Sequence, residues 1–165
     1  MATVSLRGNP VQTSGNLPSI GSKAPDFHLV KSDLSSVSLA DLAGKKVVIN
    51  IFPSVDTATC ATSVRKFNEK AVAKEGVVVL CVSKDLPFAA KRFCAAEGLE
   101  NVVMASAFRD TSFEDGYGVK LLDSGLKGLM ARSVVVLDGK GVVLHTELVS
   151  EIASEPDYEA ALAKI

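Results

Sequence analysis

Hydrophobic positions along this chain fall into two periods. Lys46–Phe52 (KVVINIF) and Gly76–Val82 (GVVVLCV) are near-continuous β-branched runs, the pattern of strands covered on both faces. Between them, Thr57–Lys74 sets Val64, Phe67, Ala71 and Val72 on a helical period, which predicts a helix with one apolar side. Pro87 opens a further helix to about Glu97, with Asp85 near its cap and Gly98 past its end. Val102–Ala105 predicts a third strand. Met130–Leu137 (MARSVVVL) and Val142–Leu148 flank Asp138-Gly139, a tight-turn signal, and so predict an antiparallel pair. Pro156–Ala163 predicts a closing helix. Upstream, Thr3–Leu6 and Val11–Thr13 flank Gly8-Asn9-Pro10 and predict a short hairpin inside a Gly-, Asn-, Pro- and Ser-rich stretch. Phe27–Lys31 predicts another strand, and Leu39–Ala43 before Gly44 a single helical turn. This order predicts an α/β fold, a mixed central sheet with helices on both faces plus an N-terminal β-hairpin in residues 1–25.

With 165 residues, 47% of them hydrophobic, the chain suits one domain over residues 1–165 with a substantial core. Lys and Arg number 18 against 19 Asp and Glu, a net charge of -1, which argues against nucleic acid as a partner. No apolar run approaches the roughly 18 residues of a membrane span. Met1–Pro10 lacks the charged-then-apolar order of a secretory signal, so the expected location is the cytoplasm rather than the periplasm.

Chemistry enters with the three cysteines, Cys60, Cys81 and Cys94. An odd number cannot all pair within one chain. No two stand at zinc-ligand or C-x-x-C spacing, and His28 and His145 are far apart in sequence. Cys60 falls in the first turn of the predicted helix, where unpaired N–H groups and the helix dipole favour a thiolate. Thr57 can cap that helix and set a hydroxyl beside the sulfur, and Pro53 can shield the loop. An inert buried thiol, with Thr57 a plain cap and Pro53 a strand terminator, fits the same residues. Cys94 reads either as a small hydrophobe on its helix or as a thiol able to attack an oxidised Cys60. Cys81 lies inside a valine-rich strand and reads as core. Arg65 projects away from Cys60 and reads as solvated. Arg132 interrupts an apolar run; buried, it needs an anionic partner such as a thiolate, whereas on an exposed strand edge it needs none.

Pro53-x-x-x-Thr57-x-x-Cys60 resembles the active-site signature of the peroxiredoxins, Pro-x-x-x-Thr/Ser-x-x-Cys. Its surroundings, INIFPSVDTATCATSVRKFN (Ile49–Asn68), are similar to the bacterial thiol peroxidase branch. So are SKDLPFAAKRFCAAEG (Ser83–Gly98), KGLMARSVVVL (Lys127–Leu137) and SEPDYEAA (Ser154–Ala161). The resemblance implies a thioredoxin-like fold, in agreement with the element order. It implies that Cys60 is the peroxidatic cysteine and Cys94, in the same subunit, the resolving one. Thr57 would hydrogen-bond sulfur and peroxide, Pro53 shield the pocket, and Arg132 hold the thiolate, with Cys81 not catalytic. It further implies hydroperoxide substrates, organic ones preferred, reduction by thioredoxin, a homodimer, and no metal or other cofactor. Two other readings use the same residues: a one-shot redox sensor, and a binding domain with inert cysteines.

Overall fold

Valine and isoleucine crowd the strands β5 (Lys46–Ile51), β6 (Val77–Ser83) and β8 (Ser133–Leu137), and these strands form the buried middle of the sheet. A computed structural model describes residues 1–71 and 74–165; Val72, counted above on the apolar helix face, lies outside the described residues. Four further strands, β3 (His28–Lys31), β4 (Ser36–Ser38), β7 (Val103–Ser106) and β9 (Val143–Leu148), complete the order β4-β3-β7-β6-β5-β8-β9. β5, β6 and β7 run parallel, while β8 is antiparallel to β5 and the remaining pairs are antiparallel. This is the mixed sheet that the sequence predicts.

Alternate residues of the central strands feed two apolar layers, as the period of a strand requires. On one face, Val48, Val79, Cys81, Val134 and Val136 meet α1 (Ala58–Ala71), α2 (Pro87–Glu97) and α4 (Tyr158–Leu162) through Cys60, Val64, Phe67, Phe93 and Ala161. On the other, Val47, Ile49, Ile51, Leu80 and Val135 meet Phe27 and α3 (Thr111–Tyr117). α1 follows β5 and α2 follows β6, so both helices begin at the carboxyl edge of the parallel strands, where sites in open α/β sheets form. No helix among the described residues is long and apolar enough to cross a membrane.

Several boundaries differ from expectation for local reasons. The hairpin of β1 (Thr3–Leu6) and β2 (Asn9–Gln12) turns at Arg7 (φ 51°) and Gly8 (φ 83°), two left-handed residues in succession. That turn matches strand twist, and it moves Asn9 and Pro10 out of the turn and into β2. The β8–β9 connection is longer than two residues, because the Asp138 carboxylate accepts from the N–H groups of both Lys140 and Val142. Met130–Arg132 lie outside β8. α4 starts after Asp157, whose carboxylate accepts from Ala160 N and caps it. Among the described residues α1 covers Ala58–Ala71, and Lys74 is not helical. The predicted turn at Leu39–Ala43 is a 3-10 turn, Ala40–Leu42.

Two elements were not predicted. β4 is three residues of alternating Ser and Val, too short to stand out. α3 is capped by Asp110 through Ser112 N and ended by Gly118 at φ 68°. A Cβ on Gly118 would lie 2.4 Å from the Asn16 carbonyl oxygen, so the chain there needs glycine for closeness as well as for φ.

Candidate active site

The apolar stripe of α1 runs through Cys60, Val64 and Phe67, and it pulls the first turn of the helix against the sheet. Cys60 is thereby fully buried at the helix N-terminus. The bond from Ala61 N to the Thr57 carbonyl opens the helix, placing Cys60 among the N–H groups that lack partners inside it. Ser63 donates to the Cys60 carbonyl at 2.8 Å and accepts from Asn50 Nδ2 of β5 at 3.2 Å, which pins this turn to the central strand.

Arg132, just ahead of β8, is 2% exposed. Its Nη2 donates to Cys60 Sγ at 3.2 Å and its Nε to the Ile152 carbonyl at 2.8 Å, while Nη1 is buried with no protein partner. An unpaired donor beside a thiol sulfur is available to an incoming polar atom. The structure thus brings together two residues that are 72 apart in sequence, and the exposed-edge alternative for Arg132 does not occur.

Pro53 is buried in the loop leading to α1. Thr57 stands at the head of that helix, but its hydroxyl donates to the Ser54 carbonyl at 3.1 Å instead of reaching the sulfur. The reason is local: Ser54 to Thr57 form a turn whose carbonyl lies closer to hand. A groove of about 320 Å³ beside this turn is lined by Ala58, Thr59, Thr62, Ala153, Ser154 and Glu155.

Cys94 sits half-buried on α2, packed at the margin of the layer that holds Cys60 and facing a second groove with Lys91, Leu99 and Met104. Burial pushes its thiol above the ordinary range. Cys60, Cys81 and Cys94 are all free thiols. Burial pushes Cys81 up to about 12 against an opposing hydrogen bond from Asn50, with a smaller upward push from the neighbouring Cys94. A thiol so disfavoured as an anion is inert, as its place in β6 suggests.

Asp85 matters more than a cap. α2 has no side-chain cap at all. The Asp85 carboxylate instead reaches the loop before α1, accepting from Ser54 Oγ (2.7 Å) and Val55 N (2.9 Å), and from Ser83 Oγ (2.6 Å). Nothing in the local sequence signals a contact made 30 residues away. Arg65 is partly exposed, as its sequence position suggests, and is also engaged: its guanidinium forks onto Glu97 of α2 at 2.8 and 2.9 Å and lies over the Phe93 ring. These links tie the Cys60 helix to the Cys94 helix. A cavity of about 720 Å³ lies at the other end of the sheet around Lys23, Leu39 and Gly139, and no candidate site residue lines it.

The sequence model of the Redoxin family matches residues 19–162. The chain is 59% identical to a thiol peroxidase from Mycobacterium tuberculosis (strain H37Rv), over all of this chain and 99% of that one. The chain belongs to the redoxin family, among its thiol peroxidases. The redoxin is also 57% identical to a thiol peroxidase from Corynebacterium glutamicum over 165 residues, with the same coverage. Its fold superposes on a peroxiredoxin-like protein from Aquifex aeolicus with a TM-score of 0.94, at 41% identity over 99% of this chain and 95% of that one. A thiol peroxidase from Chromobacterium violaceum superposes at 0.90 with 21% identity, over 98% and 93% of the two chains, a likeness of fold. The redoxin's mixed sheet and flanking helices are accordingly the thioredoxin-like fold expected from its sequence.

Proposed function

We propose that this thiol-dependent peroxidase reduces hydroperoxides, organic ones in preference to hydrogen peroxide, through Cys60, with Cys94 as the resolving thiol and thioredoxin as the reductant. One observation carries this reading above the rest: a buried guanidinium donates to a buried sulfur at a helix N-terminus, at 3.2 Å. Cation and helix end together place positive charge beside the sulfur that must attack. The sulfur of Cys60 attacks the terminal peroxide oxygen. The O–O bond breaks, and the alkoxide leaves and takes a proton to become the alcohol. Cys60 is left as the sulfenic acid, two electrons oxidised. Charge shifts from sulfur towards oxygen in this step, and the free Nη1 of Arg132 is a fixed donor for it. Thr57 takes the same role once its hydroxyl turns from Ser54, and Pro53 keeps water from the sulfur.

The Cys94 sulfur then attacks that of Cys60, hydroxide leaves as water, and an intrasubunit disulfide forms. Two electrons from thioredoxin reopen it by thiol–disulfide exchange. Cys60 is wholly buried on α1 and Cys94 half-buried on α2, so resolution requires local unwinding of both helices. A homodimer is supported by exposed Leu86, Phe88 and Phe108 at the start of α2 and after β7, which Ser106 joins by donating to the Asp85 carbonyl and accepting from Phe108 N. A reducing compartment, the cytoplasm, suits chemistry that depends on free thiols.

The test is a thiol titration of the reduced protein against one equivalent of cumene hydroperoxide, with peptide mapping. Loss of two thiols per chain and a Cys60–Cys94 disulfide is the expected result. Retention of all three thiols overturns the reading.

A further inference from the structure

We infer that the N-terminal hairpin and Glu151 form a positioning device for Arg132. The contacts run in an unbroken line. Ser5 of β1 receives Ile152 N on its carbonyl at 2.8 Å and donates its own N–H to the Ser150 carbonyl at 2.7 Å. Ile152 is thus held at its N–H by the hairpin, while its carbonyl accepts Arg132 Nε at 2.8 Å. The residue itself is buried beside Val4 and Val11 of the hairpin. Its φ and ψ are bracketed on both sides, and so is the direction in which its carbonyl points.

Glu151 locks the same segment. One carboxylate oxygen accepts from Gly8 N at 3.0 Å and Ser5 Oγ at 3.1 Å, and the other from Ala153 N at 2.9 Å. These donors, the Ala153 and Gly8 amides foremost, hold the carboxyl at about 2, well below the ordinary glutamate range. The segment also docks the Cys60 helix, because Thr59 Oγ1 donates to the Ala153 carbonyl at 3.0 Å. Guanidinium and sulfur therefore share one support, built from residues 150–153 and the hairpin that clasps them. A planar fork tolerates little rotation before its donors miss their mark. Loss of the clasp swings the Ile152 carbonyl and takes Nη2 away from Cys60. Glu151 touches neither peroxide nor sulfur; it acts through Ile152 on Arg132.

The kinetic consequence rests on the function proposed above, and a double-mutant cycle with two readouts separates the two. Glu151→Ala, Arg132→Met and the double variant are compared for the rate of Cys60 oxidation by cumene hydroperoxide. The same proteins are compared for the rate and pH profile of Cys60 alkylation by iodoacetamide, assigned by peptide mapping. We expect Glu151→Ala to slow both reactions about tenfold where Arg132 is present and by less than about twofold where it is Met, since only coupled residues show such non-additivity. Its alkylation profile moves to higher pH only in the Arg132 background. Equal effects in both backgrounds, or none in either, overturn the inference. Glu151→Gln, which keeps one accepting oxygen, is expected to fall between wild type and Glu151→Ala. It serves alone, with Ser5→Ala, if Glu151→Ala does not fold. A chain that ignores peroxide while its alkylation rates still couple refutes the proposed function and leaves this inference standing.

Discussion

Arg132 has the least room for substitution of any side chain near Cys60, because its donors face a sulfur, a carbonyl and an open position at once. Arg132→Met keeps most of the buried volume and removes all the donors. Removing one partner of a buried charged contact also costs stability, about 3–5 kcal/mol, so the chemistry is read on a variant shown to be folded. The second-order rate of Cys60 oxidation is expected to drop on the order of 10²- to 10³-fold, the usual effect of deleting one aimed donor. Stopped-flow measurement on the reduced protein, with thermal unfolding alongside, checks it; a drop of less than about threefold removes Arg132 from the mechanism. The burial of Cys60 at a helix start and of Arg132 beside it was legible in the sequence, Cys60 by its setting and the arginine because it breaks an apolar run; the resolving role of Cys94 belongs to the proposal. Glu151 was not legible, because a glutamate in a polar tail carries no mark of the three groups that converge on it.

At the scale of elements, the carboxyl edge of β5 and β6 fixes where α1 and α2 begin, and Asp85 fixes how they face each other. Asp85→Ala leaves Val55 N and the Ser54 hydroxyl without their acceptor. Amides of Pro53–Thr57 and the first turn of α1 are expected to exchange faster in the reduced variant, by about tenfold for each 1.4 kcal/mol of lost local stability. Exchange in β6 and β8 should not change. Hydrogen exchange read by mass spectrometry decides this, and unchanged protection in the loop refutes the positioning role of Asp85. Elements were legible to the extent that their pattern was long. β5, β6 and α1 declared themselves through several turns or alternations, whereas α3 has seven residues and an internal Gly116 that weakens its helical signal. Its marks were its ends, Asp110 and Gly118, together with Phe113 and Tyr117 one turn apart. Contacts between elements distant in sequence, such as Asp85 to Val55 or Arg65 to Glu97, belong to the tertiary fold and have no local pattern to read.

For the whole molecule, the exposed apolar residues at the site's edge set the expected assembly. Phe88 is 64% exposed at the start of α2, beside Leu86. Phe88→Asp introduces a charge there without touching the core, and is expected to shift the protein from dimer to monomer in sedimentation velocity while its circular dichroism stays native. If the protein is a dimer as proposed and stays one after the substitution, the interface lies elsewhere. The clasp between the hairpin and residues 150–153 has a further consequence, in the making of the protein. Ser5 and Ser150 are 145 positions apart, so residues 150–153 must be made before Ile152 can meet the hairpin and, on the inference above, before Arg132 can be aimed at Cys60. Strands β5, β6 and β7 can pair long before that. On that inference, a growing chain can hold its central strands paired before the support that aims Arg132 exists.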